Sequence, residues 1–258
     1  MRPALHAEWT KLRTVAAQIW LLLAAVVLTV ALSAFAAASA RYAEAGPGLD
    51  LTRLSLTGID LGQAVVAVLA VLAVSDEYSS GTIRATLTAL PQRSTVLAAK
   101  AIVVGAVVLV AGAIAVLGCL LAGRLILPAG GFTAAHGYQL LSLAGGPTLR
   151  ASVGSAFYLA LIALLSLGVA TAVRSSAAAI GVALGLLYLF PLATALVPSS
   201  HWQRHLEQIA PMTAGLAIQA TVNLRGQPIG PWAGLGVLAA WAAAALLVGG
   251  LVLRLRDA

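Results

Sequence analysis

The chain has 258 residues, of which 61% are hydrophobic and only 9% are charged, with a formal net charge of +7. A soluble domain usually has about 25% charged residues, so this composition excludes a soluble enzyme and a disordered tail. The single cysteine, Cys119, excludes a disulfide framework within the chain. The apolar residues form long unbroken runs, whereas the strands of a transmembrane β-barrel alternate over about ten residues. The sequence therefore predicts a helical membrane protein.

The first thirteen residues have the pattern of an amphipathic helix. Leu5, Trp9 and Leu12 recur at i, i+4 and i+7, and the charged residues lie off this stripe. The spacing predicts an interfacial helix over 1–13, with the tryptophan at headgroup depth. Its predicted anchors to the interface are Trp9, Lys11 and Arg13. A docking surface for a partner protein is the alternative interpretation of this helix.

Six predominantly apolar stretches without a charged residue follow, and about 20 apolar residues suffice to cross the hydrocarbon core. Five of these stretches have 23 to 29 residues, and the second, 61–75, has 15. The second becomes long enough if its helix begins near Leu56, which places Asp60 inside the membrane boundary. Arg174 alone separates spans four and five, which predicts a tight turn there. The predicted spans are approximately 15–38, 57–75, 98–122, 151–172, 176–197 and 232–253.

The distribution of Lys and Arg predicts the orientation of these spans. Nine of them lie in the 49 residues on the side of the two termini, and six lie in the 84 residues of the opposite loops. By the positive-inside rule, both termini are predicted to be cytoplasmic. The positive charge is thus a topology signal, and no nucleic-acid partner is expected. The opposite loops, 39–58, 123–152 and 198–231, are rich in Gly and Pro and are predicted to form turns and short helices.

The cytoplasmic loop between spans two and three has an unusual composition. Asp76 and Glu77 place two carboxylates at the membrane boundary of the side that is otherwise positive. Three apolar residues then recur at i, i+4 and i+7, namely Ile83, Leu87 and Leu90. This spacing predicts a short amphipathic helix parallel to the membrane, which Pro91 ends.

Two sequence motifs are found, one in this loop and one before the first span. One is Glu77-Tyr78-x-x-Gly81-Thr82-Ile83-Arg84, followed by Leu90-Pro91-x-Arg93 and Lys100, and the other is Glu8-Trp9-x-Lys11-Leu12-Arg13. In these positions they resemble the permease subunits of type-2 ATP-binding-cassette (ABC) exporters, especially those of actinobacteria. The resemblance covers essentially the whole chain. It implies an all-α polytopic membrane protein, a single permease domain with six transmembrane helices, an N-terminal interfacial helix and a cytoplasmic coupling helix.

The resemblance also implies roles for the residues of segment 77–92. Glu77 and Arg84 would make polar contacts with a separate ATPase subunit, Gly81 would allow the turn, and two apolar residues would pack into a groove of that subunit. The predicted coupling residues are Glu77, Tyr78, Gly81, Thr82, Ile83, Arg84, Leu87, Pro91 and Arg93. The alternative interpretation makes Glu77 a headgroup-level carboxylate neutralised by Arg84 or Arg93, and Gly81 an ordinary turn glycine.

The implied function is that of a non-catalytic permease in the plasma membrane. The chain lacks the phosphate-binding motif G-x-x-x-x-G-K-[ST], so ATP and Mg²⁺ are expected on the partner ATPase and no cofactor on this chain. The resemblance implies two ATPase copies and a homodimer, or a heterodimer with a second permease. Because few charges line the spans, a hydrophobic or amphipathic substrate is expected, and multidrug or antibiotic efflux is among the conceivable roles.

Two other functions have weaker support from the residues. A non-transporting membrane enzyme or scaffold would need a catalytic constellation or a large soluble appendage, and the sequence shows neither. An ion-driven secondary transporter would need carboxylates near the middle of the membrane, and only Asp60 comes close. His201 and His205 lie at i and i+4 on one helix face, but no third ligand is evident, so no metal site is predicted.

Overall fold

The computed structural model describes residues 2–44, 48–79, 93–138, 141–143 and 145–255. Helices make up 86% of the structure, and the described residues contain no strand. Six of the helices are long and apolar enough to cross a membrane. The predicted all-α polytopic fold is therefore confirmed.

The helices alternate between long membrane-crossing segments and short connecting ones. The described helices are α1 (Arg2–Thr14), α2 (Ala16–Ser39), α3 (Leu51–Ser55), α4 (Ile59–Ser79), α5 (Arg93–Ile126), α6 (Gly146–Val173), α7 (Ser176–Leu196), α8 (Ser200–Ile209), α9 (Pro211–Leu216) and α10 (Pro231–Leu255). The six crossing helices are α2, α4, α5, α6, α7 and α10. Because six is an even number, α1 and the end of α10 lie on one side of the bundle, here called the terminal face, and the other side is called the opposite face.

Helix α6 lies at the centre of the bundle. It packs against α4, α5, α7 and α10, and most of its residues are buried. Close approach is possible because α6 has small residues at its contacts, as is usual where lipid replaces water around helices. At Gly168 the backbone of α10 comes so near that a Cβ would lie 2.5 Å from the carbonyl carbon of Ala245.

The turn predicted at Arg174 separates α6 from α7. Arg174 has a left-handed conformation with φ of 62°, and its backbone N–H donates to the carbonyl of Ala170. Its guanidinium donates to the carbonyl of Val252 in α10 at 3.4 Å. The two apolar runs are therefore two antiparallel helices.

The segment between α7 and α10 re-enters the bundle, which the sequence analysis did not predict. Helix α8 lies on the surface, and none of its ten described residues is buried. Four of the six residues of α9 and all three of the following turn to Gln219 are buried. Gly215 faces the ring of Tyr158, which lies twelve residues into α6 and thus about 18 Å along that helix. The indole of Trp241 in α10 donates to the carbonyl of Ile209 at 2.9 Å. Residues 210–220 therefore descend from the opposite face to about mid-depth and return.

The described loops of the opposite face contain turns and short helices, and their side chains pack together. A small apolar cluster contains Leu127, Phe132 and Leu141, and the ring of Tyr42 stacks on that of His136 with centroids 4.2 Å apart. Tyr42 follows α2, and the other four residues lie between α5 and α6, so the two loops pack against each other.

Asp50 joins two of these loops. Its carboxylate caps α3 by accepting from the N–H of Arg53 at 3.0 Å. It also accepts from the hydroxyl and the N–H of Thr221, at 2.7 and 2.5 Å, and from the N–H of Val222 at 3.1 Å. The four hydrogen bonds fasten the loop before α4 to the end of the re-entrant segment.

The close contact of α6 with α10 gives a prediction for Gly168→Ala. The added methyl group would collide with backbone atoms, and such overpacking destabilises by about 1–3 kcal/mol. Gly236→Ala is the matched control, because a Cβ at this helical position meets no atom within 4 Å. We expect the control to be neutral or to stabilise by up to about 1 kcal/mol. Thermal unfolding of both variants in detergent measures the two changes in stability. Equal changes would contradict the close contact between Gly168 and the backbone of α10.

Candidate functional site

The structure describes the helices on both sides of the predicted coupling segment. Helix α4 continues to Ser79, and α5 begins at Arg93. The side chains of Glu77 and Tyr78, in the last turn of α4, and that of Arg93 lie outside the described residues. So do the other predicted coupling residues, namely Gly81, Thr82, Ile83, Arg84, Leu87 and Pro91. The assignment of this segment remains a prediction.

A buried ion pair lies beside this segment. The ammonium of Lys100 contacts Glu8 Oε2 at 2.6 Å and donates to the backbone carbonyl of Ala73 at 3.1 Å. Glu8 and Lys100 are only 6% and 5% exposed. The pair therefore joins three helices, α1 through Glu8, α4 through Ala73 and α5 through Lys100.

Local helix geometry accounts for this junction. In α1, Ala4 and Glu8 are one turn apart and both are buried, so they form the face that packs on the bundle. Lys100 lies two turns into α5, and Ala73 lies in the last two turns of α4. The junction is thus within about two helical turns of both ends of segment 80–92.

The energetics of the junction depend on complete pairing. Removing charged groups from water is costly, and only good geometry with further hydrogen bonds offsets that cost. Glu8 has a second cation, Lys11, whose ammonium lies 3.2 Å from Oε1 and whose side chain is 36% exposed. Among the described residues, loss of Lys100 would leave the buried carboxylate with only the more exposed lysine.

The exposed side of α1 has a different composition. Trp9 is 45% exposed, and the guanidinium of Arg13 lies 5.9 Å from the centroid of its ring. This distance allows a cation–π contact. The helix packs on the bundle through Ala4 and Glu8, while Trp9 points away. An interfacial anchor of Trp9, Lys11 and Arg13 remains a prediction.

A second polar group lies inside the bundle where α4, α6 and α7 meet. The hydroxyl of Tyr158 donates to Gln63 Oε1, and both side chains are fully buried. Gln63 Nε2 donates to the carbonyl of Asp60 at 2.9 Å, and the hydroxyl of Tyr188 donates to the same carbonyl at 2.6 Å. These bonds satisfy polar groups that lipid cannot hydrate.

The two histidines noted in the sequence lie on the exposed helix α8. The Nε2 atoms of His201 and His205 are 3.2 Å apart. Across the described ranges, no three His, Cys, Asp or Glu side chains come together in a way that could hold a metal ion.

Six crossing helices with α6 at their centre, and an N-terminal helix joined to the second and third spans by a buried ion pair, define a polytopic membrane protein. A family model described as ABC-2 family transporter protein matches residues 4–192. The chain therefore belongs to the ABC-2 family, whose members generally are non-catalytic membrane components that work with separate ATPase subunits. A comparison with curated proteins finds no match. The matched region includes the Glu8–Lys100 junction and ends within α7, before the re-entrant segment.

The pairing of Glu8 with Lys100 is the feature that sequence reasoning missed. The two residues are 92 positions apart, so no local spacing connects them. One signal was present in the sequence. The chain has only two lysines, and the second, Lys100, lies at the start of a span rather than in a loop. A cation at that position requires a partner.

The junction gives a prediction for Lys100→Met. The variant leaves Glu8 buried without its closest cation, and breaking a buried pair costs about 3–5 kcal/mol. Lys11→Met is the control, because it removes a cation from the same carboxylate at an exposed position, where a pair contributes at most about 1 kcal/mol. Thermal unfolding in detergent measures both. The combined change Glu8→Gln and Lys100→Met is expected to recover part of the loss, and additive losses would contradict direct pairing.

Proposed function

We propose that this chain is the permease subunit of an ABC exporter, with a separate ATPase subunit bound at the terminal face. The observation that carries the proposal is the junction of Glu8, Lys100 and the Ala73 carbonyl in a chain of the ABC-2 family. Two ATPase copies bind ATP and Mg²⁺ on the cytoplasmic side. Two permeases, identical or different, form the membrane unit in the plasma membrane.

The junction supports a mechanism of force transmission. Closure of the ATPase pair displaces segment 77–92, and this displacement moves the ends of α4 and α5. Because Lys100 binds both Glu8 and the Ala73 carbonyl, α1 follows the two spans as one unit. Helix α6 packs against α4 and α5 and also against α10. The displacement then reaches the interior of the bundle through packed helices.

The cytoplasmic location of the terminal face has support from charge. Lys and Arg are about 2.6 times denser on the terminal face than in the opposite loops, as the positive-inside rule requires. Trp9 and Arg13 of α1 have the side chains of a headgroup-level helix.

The coupling prediction is tested with purified complexes. Candidate ABC ATPases from the same genome, beginning with one encoded beside the permease, are coexpressed with wild type, Glu77→Lys and Gly81→Pro. We expect wild type to retain an ATPase, and both variants to insert normally but lose complex formation or ATPase stimulation. Glu207→Lys, which makes the same charge change on α8 of the opposite face, is the matched control.

Two outcomes would contradict the proposal. In the first, no ATPase associates with the wild-type permease. In the second, Glu77→Lys and Gly81→Pro stimulate the ATPase as well as Glu207→Lys does. A normal complex with lost stimulation would support the coupling role directly, because binding and transmission would then be separated.

The orientation is tested by cysteine labelling in intact cells. Cys119 is buried, so Cys119→Ala gives a suitable cysteine-free background. Ser175 lies in the exposed turn between α6 and α7, and His205 lies on exposed α8. A membrane-impermeant maleimide is expected to label His205→Cys in intact cells and Ser175→Cys only after permeabilisation. The reverse pattern would place the termini outside.

A further inference from the structure

A groove of about 670 Å³ lies between α5 and α10 at the terminal face. Among the described residues that line it, Ser94 and Arg254 are polar, and the other eight are apolar or glycine. Ile102, Leu247 and Leu251 belong to this lining and are exposed. The volume is within the range of small-molecule sites, whose walls are also mostly apolar.

The two helices give the groove a polar end and an apolar end. Because α5 begins at Arg93 and α10 ends at Leu255, Ser94 and Arg254 lie at the terminal end. Leu246, at the other end of the lining, is eight positions before Arg254, which corresponds to about 12 Å along α10. One leaflet of the hydrocarbon core is about 15 Å thick. The groove therefore runs from the end of the α10 span into one leaflet.

Gly250 keeps the space between the two helices open. It lines the groove without a side chain, and a Cβ at this position would lie 3.3 Å from Leu97 Cδ2 of α5. A large apolar side chain at position 250 would therefore extend into the groove.

Arg254 gives the polar end of the groove a positive charge. It is exposed, and within the described part of the chain it makes no hydrogen bond and no ion pair. Two positions earlier, the Val252 carbonyl accepts from the guanidinium of Arg174, so a second cation lies near the end of α10. No acidic residue is among the described residues that line the groove.

The other charges of the terminal face leave the balance positive. By sequence, the 49 residues on the side of the termini contain nine Lys or Arg and four Asp or Glu. Of these acidic residues, Glu8 is paired with two lysines, and Asp76 is exposed on α4 and does not line the groove. The side chains of Glu77 and Asp257 lie outside the described residues. The polar end therefore favours an anion.

Charge also argues against a second copy of this chain as the occupant. Identical subunits related by a two-fold axis bring the same surface patch together, so a contact through this groove would put two Arg254 cations in one interface. Like charges repel each other there. A soluble partner protein cannot follow the apolar walls into the hydrocarbon.

We propose that the groove holds one acyl chain of an anionic phospholipid from the leaflet at the terminal face. The lipid phosphate pairs with the Arg254 guanidinium, and the chain lies along Ile102, Leu247 and Leu251. Basic pockets between transmembrane helices are known sites for anionic lipid headgroups. A zwitterionic lipid offers the same chain but brings a further cation to an end that is already positive, so it binds more weakly.

Binding is measured on the full-length protein in dodecyl maltoside by native mass spectrometry. The two probes are dioleoylphosphatidylglycerol and dioleoylphosphatidylcholine, which have the same chains and different headgroups. We expect wild type to bind phosphatidylglycerol more tightly, and Arg254→Gln to lower this affinity about fivefold while phosphatidylcholine is unaffected. Arg204→Gln, which removes an exposed cation from α8 of the opposite face, is the matched control and is expected to bind both lipids as wild type.

Gly250→Leu tests the acyl-chain part of the site. Its side chain would occupy the groove, so both lipids are expected to lose binding. Gly236→Leu is the control, because it makes the same change on α10 where a Cβ meets no atom within 4 Å. Thermal unfolding shows whether each variant is folded, and the measured masses give its oligomeric state.

The proposal is overturned if wild type binds the two lipids equally, if Arg254→Gln binds phosphatidylglycerol as tightly as Arg204→Gln does, or if folded Gly250→Leu keeps the bound lipid. A dimer that Gly250→Leu converts to monomers without any change in lipid binding would also overturn it, and would assign the groove to a second copy of the chain. None of these outcomes affects the exporter assignment, which depends on ATPase association.

Discussion

Helices in a bilayer gain little from burying apolar side chains, so their association depends on how closely their surfaces fit. In this chain the fit is concentrated on α6. The backbone of α10 lies against Gly168, and Ile218 of the re-entrant segment lies against Gly154. Both contacts exclude a side chain larger than hydrogen, so they fix the depth of the re-entrant segment and the position of α10.

Helix α4 connects the Glu8–Lys100 junction with the opposite face. Near its last turns the Ala73 carbonyl accepts from Lys100, and in its first turn the Asp60 carbonyl accepts from Tyr188. Asp60 and Ala73 are thirteen positions apart, which corresponds to about 20 Å of continuous helix. The Gln63–Tyr158 bond ties the middle of α4 to α6. A displacement of one end of α4 relative to α6 must therefore strain or shift polar contacts at the other.

The distribution of charged and apolar residues predicted the six spans and the turn at Arg174, because charged residues are rare within the spans. It did not find the re-entrant segment. The charge-free stretch from Gln208 to Leu224 contains Pro and Gly and is shorter than a span, so its composition also fits a surface loop. The Glu8–Lys100 pair and the hydrogen bonds of Asp50 escaped prediction because local spacing carries no information about residues so far apart. The coupling segment was assigned by resemblance, and it remains a prediction.

The bonds of Asp50 have a consequence for biogenesis. Thr221, which supplies two of its donors, follows 171 residues later in the chain. At a synthesis rate of about 5–20 residues per second, the ribosome reaches it roughly 10–35 s after Asp50. During that interval the early loop has only the donor from Arg53, and four more spans must enter the membrane before the others arrive. The opposite face is therefore complete only after the segment that follows α9 has been synthesised. A nascent chain arrested before that point exposes a loop that lacks three of its four hydrogen bonds to folding-quality control.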